Sequence, residues 1–102
     1  MKYNKLIRDR IPEILKYKGV ESVTSIASEE KYWELHLAKL LEEVEEFIES
    51  ENVEELADIQ EVLKAIQKHK KIPQDDVEKI RAKKSKERGA FNNRIVLHET
   101  KE

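Results

Sequence analysis

An all-α fold, an antiparallel helix bundle flanked by short extended segments near the N-terminus and in the C-terminal tail, is what this sequence predicts. Apolar residues recur at helical spacing, as in Trp33, Leu37, Leu40, Leu41, Val44, Phe47 and Ile48, and helix-ending residues punctuate the pattern. Only 38% of the 102 residues are hydrophobic and 41% are charged. That balance is too polar for a generous monomeric core and too periodic for a disordered chain, so a second copy is expected to complete the bundle as a dimer or tetramer. The length allows one domain, 1–102.

The opening MKYNKLIRDR is expected to be irregular, with Asp9 paired to a neighbouring arginine. Pro12 then suits the first turn of a short helix, and Gly19 ends it. ESVTSIAS is rich in β-branched residues and reads as extended. Ser28 is a good N-cap, followed by Glu29 and Glu30 where the helix dipole favours acids, so a long helix runs from there to about residues 48–50. A short turn at SEN leads to a second helix over 53–70, and so brief a connection makes the two antiparallel neighbours. Pro73 restarts the chain into a third long helix, QDDVEKIRAKKSKER, which Gly89 stops. The tail AFNNRIVLHETKE reads as extended.

Composition excludes several classes of function. A net charge of -2 gives no general attraction to nucleic acid or to an anionic membrane. With no cysteine, neither a disulfide framework nor a thiolate metal site is available. No apolar run approaches membrane-spanning length and the start lacks the apolar stretch of a signal peptide, so a cytoplasmic protein is expected. Gly19 and Gly89 are the only glycines, which leaves no Gly-rich phosphate loop. His36, His69 and His98 have no mutual spacing of metal ligands and read as surface residues. Trp33, His36 and Phe91 are candidates to stack on a base, although Trp33 falls on the core stripe.

The charges are unevenly distributed. From Glu29 to Glu61 there are thirteen acids and two bases, Lys31 and Lys39, whereas Glu78 to Arg94 is basic. On the second long helix Glu55 falls at about 260° of the helical wheel, between Val62 at about 240° and Ile66 at about 280°. A carboxylate inside an apolar arc is costly unless a positive charge meets it. Asp58 follows three residues later, and Glu43 and Glu46 have the same spacing on the first long helix. Two antiparallel helices can thus gather four carboxylates, whose repulsion a divalent cation would reverse. Oxygen ligands without Cys or His suit a hard ion, Mg²⁺ or Mn²⁺.

The run Glu42-Glu43-Val44-Glu45-Glu46 followed by Glu55-Leu56-Ala57-Asp58 resembles the EExxE and ExxD signature of the MazG-like all-α nucleoside triphosphate pyrophosphatases. The ends YNKLIRDRIPEIL, residues 3–15, and KSKERGAFNNRIVL, residues 84–97, are similar to those of a compact subgroup, so the resemblance covers nearly the whole chain. Eight residues separate Glu46 from Glu55, fewer than the family commonly has, which implies a minimal substrate pocket.

The resemblance implies a MazG-like bundle in which Glu43, Glu46, Glu55 and Asp58 bind Mg²⁺ and Glu42 assists the attacking water. The implied reaction is hydrolysis of a nucleoside triphosphate between its α and β phosphates, giving monophosphate and pyrophosphate, in nucleotide-pool house-cleaning. Lys84, Arg88 and Arg94, with Lys5 and Arg8, are the candidates to hold the phosphates. The competing readings are a non-enzymatic helical interaction module and an inactive member of the same fold. A helix used only for pairing has no use for Glu55 in its seam.

Overall fold

The computed structural model describes residues 1–102 and is built of helices alone: α1 (Ile11–Tyr17), α2 (Glu29–Ser50), α3 (Val53–His69) and α4 (Gln74–Arg88). No strand forms, so the segments read as extended pair with nothing. Two compact units divide the chain, Met1–Ile66 and Gln67–Glu102. No helix is long and apolar enough to cross a membrane.

Local signals set the helix ends. Pro12 occupies the first turn of α1, where its missing N–H is no loss. Gly19, at φ +77°, follows that helix in the left-handed region, with Gly19 N donating to Lys16 O at 3.0 Å and Val20 N to Leu15 O at 2.9 Å. That pair of bonds satisfies carbonyls the helix leaves open. Ser28 Oγ accepts from Lys31 N at 3.2 Å and caps α2. Glu51 ends α2 in the left-handed region, and Asn52 Oδ1 accepts from Glu54 N at 3.1 Å to start α3. The reversal therefore needs only two residues outside the helices, which turns α3 back against α2.

Within the first unit the inward faces differ from those expected on apolar content. On α2 the inward line is Trp33, His36, Leu40, Glu43 and Phe47, and its only fully buried members are His36 and Glu43. Leu37, Leu41 and Ile48, expected on the core stripe, are exposed, the last two at 64% and 71%. On the part of α3 in this unit the half-buried residues are Glu55, Asp58, Ile59, Val62, Ala65 and Ile66, while Leu56 and Leu63 are exposed. The inward face is centred on Glu55 and Val62, about 100° from Leu56. No hydrophobic residue in the chain is fully buried. Each long helix thus carries two seams, one turned to its neighbour and one open.

His36 corrects an expectation: it is 1% exposed and not a surface residue. Its ring lies 4.1 Å from that of Tyr32 and meets Trp33 edge-on at 6.5 Å, centroid to centroid. The side chain fills an aromatic position in the seam. His69 is half-buried and His98 exposed.

In the second unit α3 ends in the same pattern as α1, with Lys71 N donating to Lys68 O at 3.2 Å and Ile72 N to Gln67 O at 2.9 Å. Gln67 Nε2 also donates to Gln74 Oε1 at 2.8 Å across the turn. Helix α4 buries none of its residues and is laced by ion pairs such as Arg81 with Glu78. Here the left-handed position is held by Lys71, at φ +58°, where α1 uses glycine. A side chain there costs about 1–2 kcal/mol, part of which glycine gives back through its freer unfolded chain. Lys71→Gly is therefore expected to stabilise the protein by about 0.5–1 kcal/mol, measured by urea unfolding; a loss of stability would show that the turn is not strained.

Candidate metal centre

All five sequence-predicted acids, Glu42, Glu43, Glu46, Glu55 and Asp58, meet where α2 and α3 pack. Glu42, Glu43 and Glu46 form one group and Glu43, Glu55 and Asp58 another; within each, one carboxylate oxygen per residue lies within 4.8 Å of the others. Glu43 belongs to both. The i, i+3 spacing puts Glu43 with Glu46, and Glu55 with Asp58, on single faces, and the tight turn brings those faces together. At 4.8 Å two carboxylates repel by about 3 kcal/mol at an effective dielectric of about 20, before solvent screening.

Three cations offset that repulsion. Lys39 Nζ lies 3.2 Å from Glu43 Oε1 and 3.3 Å from Glu42 Oε2. Lys5 Nζ donates to Glu42 Oε1 at 2.9 Å, and Arg8 Nη2 to Asp58 Oδ1 at 2.7 Å. Lys5 and Arg8, expected at the substrate's phosphates, thus rest on the acids themselves. Asp9, expected to pair with an arginine, makes no ion pair, because Arg8 takes Asp58 and Arg10 takes Glu13. Lys39 was not anticipated, yet its place three and four residues before Glu42 and Glu43 is a local signal for this contact.

Two side chains decide what the cluster can do. Glu43 is 6% exposed, and its Oε2 is buried without a hydrogen-bond partner. A buried carboxylate oxygen left unpaired is costly, and a cation held by Glu43 would satisfy it. The donor set therefore fits a hard divalent ion. Glu42 is different: lysines engage both of its oxygens.

The titration of these groups follows the same contacts. The hydrogen bond that Lys5 donates, with help from Lys39, holds Glu42 below the usual glutamate value, and the same bond raises Lys5. Glu46 is pushed up, chiefly by its contact with the Glu43 carboxyl and then by burial and the charges of Glu43, Glu42 and Glu55.

The remaining phosphate candidates, Lys84, Arg88 and Arg94, belong to the second unit, where all three are exposed; Arg94 sits at φ +57°. A shallow hollow of about 240 Å³ in that unit is lined by Arg88, Phe91, Asn92, Asn93 and Ile95 among others, and Phe91 is 99% exposed. The chain matches no family model, no curated protein and no solved structure.

A raised pKa means that the fold favours neutral Glu46, so its ionisation destabilises the folded state as pH rises through the folded value. Glu46→Gln should accordingly stabilise the metal-free protein at neutral pH, by about 0.2–0.5 kcal/mol, the size of a like-charge pair on a helix. The gain should vanish below the ordinary glutamate pKa, where wild type is neutral in both states. Thermal melts of the two proteins from pH 3 to 8 check this, and a gain independent of pH would exclude a charge effect.

Proposed function

We propose that this chain is a Mg²⁺-dependent nucleoside triphosphate pyrophosphohydrolase of the MazG-like kind. The observation that carries the reading is the buried Oε2 of Glu43, which has no hydrogen-bond partner on a residue shared by two three-carboxylate groups. A solvated acidic face has no reason to bury a carboxylate there. Glu43, Glu55 and Asp58 would hold one ion; Glu43, Glu46 and, once a lysine withdraws, Glu42 would hold another. When bound, Mg²⁺ or Mn²⁺ would supply an activated water and screen the triphosphate, so no side-chain nucleophile is required. Lys84, Arg88 and Arg94 are the residues proposed to steady the β and γ phosphates and the leaving pyrophosphate.

The open seams bear on assembly. Leu37, Leu41 and Ile48 on α2, with Val53, Leu56 and Leu63 on α3, leave apolar surface that a second copy would cover. We therefore assign the functional unit to a dimer or tetramer. The same seams favour, as a second reading, a helical interaction module without catalysis.

Incubation with ordinary and modified nucleoside triphosphates is expected to release pyrophosphate and monophosphate only when Mg²⁺ is present. Asp58→Asn should reduce turnover by about 100-fold or more, and Arg88→Ala by less, since it is one of several phosphate contacts. Mg²⁺ should also raise the Tm of wild type, and Glu55→Gln should remove most of that rise while keeping the helical content. Protein that binds Mg²⁺ and assembles but is inert across the panel is an inactive form of the fold. No metal response and no turnover would leave the interaction module.

Sedimentation at micromolar concentration should give a dimer or larger. A single 12.1 kDa species would refute the assembly. Leu41→Glu, placed on the open seam, should shift the distribution toward monomer.

A further inference from the structure

We propose that Lys5 and Arg8 are exchangeable counter-cations of the acid cluster. They hold the N-terminal segment on the helices while no divalent ion is bound, and release the carboxylates when one binds, which frees an ammonium and a guanidinium for a polyphosphate. The inference rests on the metal-binding reading given above.

The segment is attached in a way that permits this. Residues 1–8 have no regular structure, and residues 1–7 make no backbone hydrogen bond. Leu6 and Ile7 are half-buried between Lys5 and Arg8, whose charged ends reach Glu42 and Asp58, 37 and 50 residues away in sequence. Both pairs are partly solvated, and such pairs are weak enough to exchange. Lys39 differs, because it contacts Glu42 and Glu43 from its own helix and cannot withdraw with the segment.

Charge balance ties release to loading. With all five carboxylates ionised, Lys5, Arg8 and Lys39 leave two negative charges uncompensated, the equivalent of one divalent ion. Without Lys5 and Arg8 four remain, the equivalent of two. Each group has one member held by the segment. Arg8 holds Asp58 Oδ1 in the group of Glu43, Glu55 and Asp58, and Lys5 holds Glu42 Oε1 in the group of Glu42, Glu43 and Glu46. An ion in either group therefore competes with a cation of the segment.

Trypsin reads the release directly, since it must seize the side chain it cleaves beside. In the full-length protein, Mg²⁺ should accelerate cleavage after Lys5 and Arg8 relative to cleavage after Lys16 and Lys18, and the acceleration should be absent in Glu55→Gln. Calorimetry on the double variant Lys5→Gln, Arg8→Gln should show Mg²⁺ bound about threefold to tenfold more tightly, the scale of two lost surface pairs. Inorganic pyrophosphate, titrated in the presence of Mg²⁺, should bind the same variant more weakly than wild type. A merely structural segment would give weaker binding of both and no change in cleavage, and Mg²⁺ binding without faster cleavage after Lys5 and Arg8 overturns the proposal while sparing the metal centre. If neither wild type nor variant binds Mg²⁺, the metal reading itself fails, and the exchange fails with it.

Discussion

Mutual repulsion among carboxylates at the α2–α3 seam is the constraint around which the first unit is arranged. Glu43 stands at its centre, buried and shared between two groups of acids. Such a cluster would push two helices apart unless cations answered it. Lys39 does so from within α2, and Lys5 and Arg8 do so from a segment that has no secondary structure of its own. The placement of the N-terminus is thus a consequence of the acids as much as of Leu6 and Ile7.

The same seam explains the poverty of the core. Positions that a stable helical pair would give to leucine are held by His36, Glu43, Glu55 and Asp58. Apolar residues are displaced to the neighbouring face, where Leu41 and Ile48 stand open. A bundle that devotes its inner face to polar groups must find hydrophobic burial elsewhere. Metal binding and assembly with a second copy, both proposed above, would each add stability by binding the folded state.

Much was legible in the sequence because the signals are local. Ser28, Pro12, Gly19, Pro73 and Gly89 each act within one helical turn, so the helix ends fall where those residues stand. The spacing of Glu43 with Glu46 and of Glu55 with Asp58 fixes a shared face by helical geometry alone, and the short connection between the helices brings the two faces together. Glu55 in an apolar arc marks the inward side of α3 by helical geometry alone.

Other features were decided by tertiary structure, because they depend on partners far away in the chain. A helix with two apolar seams does not say which one its neighbour will take; the packing chose the line through His36 and Glu43 and left Leu37 and Leu41 open. Periodicity weighs hydrophobicity, and the choice here was made by aromatic contacts around His36 and by charge around Glu43. Nor does any local rule connect Lys5 to Glu42 or Arg8 to Asp58, since ion pairs across 37 and 50 residues form only when the fold has already brought the elements together. The sequence by itself determined the helices and the faces that carry the acids; the tertiary structure decided which faces meet and which cations answer them, because long-range charge pairing has no sequence period to announce it.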